Sequence, residues 1–183
     1  TELSDSRAWI QELTGGPCTV FSPPNGKHHR RDIEAIRHAG FAGYRTVEMW
    51  SLDRPRRRAG GLLEMPTTLA ALPQPVIGVA KNLVKRRAFR GLGHYLRRGL
   101  AGSWADHAWA MIDRAVAVGG VFHLWGHSWE LEDSQQWDAL EDVLRVIREH
   151  ADAGRIRLAT NGGLCASEPQ PAEAILAPAP RPG

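Results

Sequence analysis

The sequence of 183 residues has little of what marks several common classes of protein. It contains only two cysteines, Cys18 and Cys165, whose spacing fits no metal site. We expect free thiols, with a single disulfide as the alternative. No apolar run is long enough to span a bilayer, and no basic-then-apolar segment marks a signal peptide. The sequence therefore excludes a disulfide-rich scaffold, predicts no membrane span, and leaves the choice between cytoplasm and export open.

The excess of positive charge is small, with a formal net charge of +3 and a sequence pI of about 9.2. Most of this excess lies in three basic clusters, at residues 54–58, 85–87 and 97–98. Such clusters can meet phosphates or an anionic polymer, but no nucleic-acid motif accompanies them. We interpret them as solvated surface and do not expect nucleic acid as a partner. A basic module that binds an acidic polymer or nucleic acid is the alternative.

The organisation of the chain indicates one folded domain followed by a tail. A hydrophobic content of 43% supports a single core over residues 1–165, and alternating helical and strand patterns predict an α/β fold with mostly parallel strands. Residues 166–183 are rich in proline and alanine, and we expect them to be disordered. The first residue is Thr1 rather than Met, so we expect that the N-terminus was processed or cut.

Apolar periodicity, capping residues and turn signals give the expected elements. The first helix is predicted from Ser4 to Gly15, with Ile10 and Leu13 inward, and the second over 31–39. A third helix begins at a capping box formed by Ser103 and Asp106, and its apolar face carries Trp104, Ala108, Met111, Ile112 and Ala115. A further helix starts at 133–136 and carries Trp137, Leu140, Leu144 and Ile147 as its apolar stripe. Strands are predicted at 18–21, 44–49, 76–79, 121–127 and 155–159, with an irregular stretch at 53–75 and a partly helical basic segment up to Arg98.

The segment from Gly119 to Glu130 carries the clearest functional signal, because an apolar strand pattern ends in polar and aromatic residues. In a helix, His123 and His127 would lie one turn apart and could share a metal. Two glycines before the run and its aromatic content favour a strand, which separates the two histidines by roughly 13 Å. We therefore interpret His123 as a hydrogen-bonded core residue. His127, at the strand end, is the catalytic or binding candidate.

Two segments together resemble the polysaccharide deacetylase family (carbohydrate esterase family 4). The first is Phe-Ser-Pro-Pro-Asn-Gly at 21–26, followed by a helix of the type Asp-Ile-Glu-Ala-Ile and by Ala-Gly-Phe at 39–41. The second is His-Leu-Trp-Gly-His-Ser-Trp-Glu at 123–130, which is similar to the sequence of this segment in a subset of members. The resemblance runs from about Leu3 to Leu164.

The resemblance implies a partial or distorted (β/α) barrel and a hydrolase that removes N-acetyl groups from amino-sugar oligo- or polysaccharides. Such chemistry uses a divalent metal, usually zinc, to polarise the amide and activate water. By resemblance, His127 is the general acid that protonates the departing amine. The wall of the substrate groove would be formed by Phe21, Pro23, Pro24 and Gly26.

The sequence departs from the family where the metal is concerned. The Asp-Asp motif and the paired-histidine motif of the family are not found in this chain. His28 and Asp32, which would share a helix face, are weak replacement candidates, and Asp53 is better interpreted as a surface ion-pair partner of its arginine neighbours. We therefore expect this chain to be weakly active or inactive alone. It is either a deacetylase portion that has lost its first strands or a non-catalytic glycan-binding relative.

Aromatic residues and a strand edge complete the expectations. Trp50 and Trp129, near strand ends, are predicted to stack on sugars, whereas Trp125 is interpreted as core. The tryptophans at 9, 104, 109 and 137 fall on helices and are interpreted as packing residues. A barrel that lacks its first strands exposes an edge, so we expect self-association through it.

Overall fold

Six helices and six short strands make up the part of the chain that the computed structural model describes, residues 2–24, 28–58, 60–73 and 102–167. The elements are α1 (Glu2–Thr14), β1 (Val20–Phe21), α2 (Arg30–His38), β2 (Gly43–Arg45), β3 (Arg56–Arg57), β4 (Leu63–Met65), β5 (Leu69–Ala70), α3 (Trp104–Val118), β6 (Leu124–Trp125), α4 (Ser128–Asp133), α5 (Trp137–Asp152) and α6 (Asn161–Ser167). The predicted strand at 76–79 and the basic helix after it lie outside the described residues. Helix α6 includes the first two residues of the predicted tail, and the rest of that tail is also outside.

The strands form two small, mostly parallel sheets. The first has the order β1-β2-β4-β3, in which only the β3–β4 pair is antiparallel, and the second pairs β5 with β6 in parallel. One continuous stretch of chain, 63–70, pairs first with β2 and then with β6. These strands do not close into a barrel within the described ranges, and the barrel stays a prediction.

The junction between the sheets explains why the predicted strand at 44–49 is shorter than expected. Regular pairing ends at Arg45, but single hydrogen bonds continue it: the Thr46 amide donates to the Met65 carbonyl over 3.0 Å, and the Trp50 amide to the Thr68 carbonyl over 2.7 Å. Trp50 has a positive φ of 64°, which turns the chain away from the sheet. The strand prediction for 44–49 was therefore correct in place and too long.

The described part of the stretch 53–75 is not irregular throughout, which corrects the sequence prediction. It contains β3, β4 and β5, and all three residues of β4 are buried. Glu64 lies in the middle of β4, and a carboxylate there conceals the strand from a search for apolar alternation. Burial is possible because the Tyr44 hydroxyl donates to Glu64 Oε2 over 2.6 Å and Arg58 Nε donates to the same oxygen over 2.9 Å.

Two main hydrophobic clusters form the core of the described residues. Helices α3 and α5 enclose the larger cluster with β5, and the residues predicted for the inner face of α3 are all buried. The capping box is confirmed, since the Asp106 amide donates to Ser103 Oγ and the Ser103 amide donates to Asp106 Oδ2. The second cluster packs α2 against the first sheet, with Ile36, Phe41 and Tyr44 buried.

Two predicted apolar faces differ from the structure. In α1, Ile10 and Leu13 are 38% and 69% exposed, because the helix instead contacts the domain through Leu3 and Arg7, whose Nε donates to the Cys18 carbonyl. In α5, the stripe is rotated so that Val143 is fully buried while Leu144 is 51% exposed. Both helices are placed correctly, and the error is in their orientation.

The predicted strand at 155–159 is not formed. Leu158 is 63% exposed, and no strand in the described part of the chain pairs with this segment. An alternating pattern gives a strand only where a neighbouring backbone accepts the hydrogen bonds. Cys18 and Cys165 are free thiols, as predicted.

Candidate functional site

Two glycines fix the entry to the segment 119–130. Gly119 ends α3 in the left-handed conformation, with φ of 63°. At Gly120 a Cβ atom would lie only 2.6 Å from the Leu52 carbonyl oxygen, so the position accepts no side chain without movement. The Val121 amide then donates to that same carbonyl over 2.9 Å. The glycines noted in the sequence therefore set a turn and a close approach of two backbones.

Thr68, which is fully buried, holds the backbone of His123 from two sides. Its amide donates to the His123 carbonyl over 3.0 Å, and its hydroxyl accepts from the His123 amide at the same distance. The hydroxyl also donates to the Ser51 carbonyl over 2.7 Å. The main chain of His123 is therefore fixed, whatever its ring does.

His127 lies at the N-cap of α4 and not at a strand end before a loop. Regular strand is limited to Leu124 and Trp125, because the partner β5 is itself two residues long, and α4 begins directly at Ser128. The predicted strand 121–127 was therefore too long, and the expected loop is a short helix. The short helix still leaves part of the segment at the surface, since Trp129 in the first turn of α4 is 60% exposed.

The ring of His127 is packed between two tryptophans. It stacks on Trp129, with centroids 4.0 Å apart and planes 13° apart, and it meets Trp125 edge-on at 5.4 Å. No described residue hydrogen-bonds to either of its ring nitrogens. The imidazole is thus oriented by packing and keeps both nitrogens for a ligand.

Three buried polar atoms between 123 and 130 have no hydrogen-bond partner in the described part of the chain. They are His123 Nδ1, Trp125 Nε1 and Glu130 Oε2. Such atoms are rare in folded proteins, and each one costs free energy unless something pairs with it. Three of the four such atoms in the described structure belong to this eight-residue segment, and the fourth is His28 Nδ1.

The sequence interpretation of His123 as a hydrogen-bonded core residue needs correction. The ring is only partly buried, and its Nδ1 has no partner among the described residues. Burial, assisted by the positive charge of Arg45, lowers the pKa of His123 to about 4. His123 is therefore neutral at pH 7, and it faces a cavity and not a packed interior.

The other predicted substrate residues are not gathered around His127. Trp50 is 9% exposed and packs edge-on against His107 at 5.2 Å, so its ring cannot present a face to a sugar. Phe21 packs against Phe41, with centroids 5.5 Å apart, and belongs to the core. Pro23 is buried and Pro24 is exposed, and Gly26 lies outside the described residues. Of the predicted sugar-binding residues that are described, only Trp129 offers an aromatic face.

The described residues do not fit the zinc site that the family resemblance implies. They contain no group of three His, Cys, Asp or Glu side chains that could hold a metal ion. Helix α2 begins at Arg30, so His28 precedes it and does not share its face with Asp32, contrary to the prediction. Asp32 instead accepts from the His29 amide over 2.7 Å, and His28 packs edge-on against Tyr44.

Two of the four arginines in the basic cluster at 54–58 pair with carboxylates. Arg56 pairs with Glu48 and Asp53, and Arg58 pairs with the buried Glu64. This agrees with the interpretation of Asp53 as an ion-pair partner. The clusters at 85–87 and 97–98 lie outside the described residues.

A cavity of about 800 Å³ beside the segment 119–126 was not foreseen from the sequence. Its polar lining includes Arg45, His123 and Asn161. Arg45 Nε and Nη2 both donate to Asn161 Oδ1, and these residues are 116 positions apart. The signal in the sequence was Arg45 itself, one of two charged residues inside the predicted strand 44–49.

Comparison with protein-family models matches none of them, and comparisons with curated proteins and with solved structures find no significant match. None of the helices in the described ranges has the length and apolar character that crossing a membrane requires.

Proposed function

We propose that this chain is part of a polysaccharide deacetylase-like hydrolase that acts on N-acetylated amino-sugar glycans. We propose further that the segment 123–130 forms part of its glycan-binding surface. The observation that carries the proposal is the exposed aromatic pair, in which the ring of Trp129 is 60% exposed and stacked on His127. The resemblance of the same segment to the family gives the substrate class. Zinc and the barrel stay predictions that this resemblance implies.

The exposed indole suits a sugar for a physical reason. The C–H face of a pyranose packs on a flat aromatic ring, and polar groups at the edge of the site bind its hydroxyls. His127 covers one face of the indole, so a sugar takes the other face or the edge. Glu130 Oε2 and Trp125 Nε1 have no described partners, but both atoms are buried, so they do not contact a sugar on the exposed indole.

In this proposal His127 donates a proton to the departing amine. Both ring nitrogens are without described partners, and the stack on Trp129 fixes the orientation of the imidazole. His127 lies on the other face of the indole from the stacked sugar. We therefore propose that it protonates the acetamido nitrogen of the neighbouring sugar unit and not that of the stacked one. Hydrolysis also needs an activated water. We therefore expect little acetate release from this chain alone.

Titration calorimetry with a chitin oligomer tests the binding part. We expect Trp129→Ala to weaken binding by about tenfold, which corresponds to ~1.4 kcal/mol. Trp9→Ala is the matched control, because Trp9 is also an exposed tryptophan, at 63%, but lies on α1. An unchanged affinity in Trp129→Ala, or no binding by the wild type, would contradict the proposal.

Acetate release from the same oligomer, with zinc or cobalt added, separates a hydrolase from a glycan-binding relative. If catalysis occurs, His127→Gln lowers the turnover while affinity stays near that of the wild type. Binding without release in any metal favours the non-catalytic relative. Substantial release by the wild-type chain would show that our expectation of weak activity is wrong.

A further inference from the structure

The cavity beside the segment 119–126 has the size and lining of a small-molecule site. Its volume of about 800 Å³ lies within the usual range of roughly 300–1,000 Å³ for such sites. Most of the lining is apolar and comes from α3, α5 and the segment 119–126, including Ile112, Leu140 and Ile147. An apolar body of moderate length fits this lining.

All charged side chains that line the cavity carry the same sign. They are Arg45, Arg54, Arg155 and Arg157, and no aspartate or glutamate of the described residues joins them. None of these four forms an ion pair with a described carboxylate, whereas other arginines, such as Arg58 and Arg148, do. The described lining of the cavity therefore carries positive charge that no described carboxylate pairs with.

Arg45 is the deepest of the four, with 7% of its surface exposed. Its described partners are all neutral: Nε and Nη2 donate to Asn161 Oδ1, and Nη1 donates to the Pro66 carbonyl over 2.7 Å. A guanidinium has five N–H groups, so two of them lack a partner in the described ranges. Burial lowers the pKa of Arg45 to about 10, which still leaves the group charged at pH 7.

Cys165 does not supply the missing negative charge. Burial raises the pKa of this thiol, so it is protonated at neutral pH, and it lies against the sheet near Gly43. A buried cation without a counter-ion is costly, and an anion that brings two acceptor oxygens would offset that cost. His123, which also lines the cavity, adds a buried Nδ1 without a described partner.

We infer that this cavity binds an amphipathic carboxylate, with its head group against Arg45 and His123 and its apolar body along Ile112, Leu140 and Ile147. Two N–H groups of one guanidinium match one planar carboxylate, and a neutral imidazole donates a further hydrogen bond. The inference does not rest on the proposed function, because Trp129 and His127 do not line the cavity.

Titration calorimetry with decanoate, on the full chain, tests the inference. We expect decanoate to bind at least tenfold more tightly than decanol, which has the same apolar body without the charge. Arg45→Met should weaken decanoate binding at least tenfold while leaving decanol binding within about twofold. Arg145→Met is the matched control, because Arg145 lies exposed on α5, outside the cavity lining, and should not change either affinity.

A second variant tests the site in case Arg45→Met does not fold. His123→Leu keeps Arg45 and should weaken decanoate binding about threefold or more, with the circular dichroism spectrum of the wild type. Equal binding of decanoate and decanol, or equal decanoate binding in wild type and Arg45→Met, would overturn the inference. Displacement of decanoate by inorganic phosphate at lower concentrations than by octanoate would overturn the choice of a carboxylate.

Discussion

The two faces of the four-stranded sheet treat buried charge in opposite ways. Tyr44 and Arg45 are consecutive on β2, so their side chains point to opposite faces. On the side of Tyr44, which we call the closed face, Glu64 accepts from Tyr44 and Arg58 and its charge is balanced. On the side of Arg45, which we call the cavity face, the buried guanidinium has only neutral described partners.

The pKa shifts follow this difference. On the closed face, burial alone would raise the pKa of Glu64, but hydrogen bonds from Arg58 and Tyr44 outweigh it, and the net pKa is lowered. On the cavity face, burial lowers the pKa of Arg45, and burial together with Arg45 lowers that of His123. On the closed face described side chains balance the charge of Glu64, whereas on the cavity face no described carboxylate pairs with Arg45.

Removing the charge of Glu64 should have the largest effect. In Glu64→Gln the side-chain amide meets Arg58 with a donor, and the Arg58–carboxylate interaction is lost. We expect the free energy of unfolding to fall by about 1.5–3 kcal/mol, the range for hydrogen bonds to charged groups. Urea denaturation followed by circular dichroism measures it. A loss below about 0.5 kcal/mol would show that the closed face is not held by this charge.

Gly43→Ala should be next in size and tests the packing of the cavity face. A Cβ at this position would lie 2.9 Å from Cys165 Sγ and 3.0 Å from the Leu63 carbonyl oxygen. Crowding of this kind costs about 1–3 kcal/mol. Gly16→Ala is the control, because nothing lies within 4 Å of its Cβ position and its φ is not positive. Equal stability of the two variants would mean that the side chains around Gly43 can move to accept a Cβ atom at little cost in free energy.

Arg45→Met should change stability by no more than about 1 kcal/mol in either direction, in contrast to Glu64→Gln. The substitution removes a buried charge that has neutral partners and keeps an apolar stem of similar length. The same urea measurement applies. A loss greater than about 3 kcal/mol would contradict the view that this cation is uncompensated in the unliganded chain.

The dependence of stability on pH gives a further test of the cavity face. The pKa of His123 is about 4 in the folded chain and higher in the unfolded chain, so the unfolded state binds more protons between about pH 4 and 6.5. The contribution of His123 is thus present above pH 6.5 and lost as the pH falls towards 4. Urea midpoints between pH 4.5 and 7.5 should fall more steeply with acid in the wild type than in His123→Gln.

His29→Gln, an exposed substitution before α2, controls for the removal of one histidine. In Arg45→Met, the pKa of His123 should move back towards its ordinary value, because one of the two causes of its shift is gone. NMR titration of the His123 ring measures this. If Arg45→Met left the pKa of His123 unchanged, the charge of Arg45 would not act on His123. That result would contradict our description of the cavity face.

The sequence predicts those features that depend on neighbours along the chain. The capping box at Ser103 and the inner face of α3 are local patterns, and both are confirmed. Strand β4 could not be found, because Glu64 is tolerated there only through contacts with Tyr44 and Arg58. The segment 155–159 has a strand pattern, but its pairing depends on a partner that local sequence does not supply.

The same division applies to the candidate site. His127 and Trp129 are two residues apart, so a local motif brings them together, although not as a stack at a helix start. Trp50 has the same chemical character as Trp129, and only its position in the core removes it from the site. Arg45 and Asn161 meet through the tertiary fold, and nothing in the sequence relates them.

The central claim, that Trp129 presents a sugar-binding face, is tested most directly by NMR of the seven tryptophan indole N–H groups during titration with a chitin oligomer. Trp→Phe variants assign the signals. We predict a saturable shift of the Trp129 signal and none of the Trp104 signal, because Trp104 is buried and its Nε1 donates to Gln136. A Trp129 signal that stays unchanged at saturating oligomer would contradict the account.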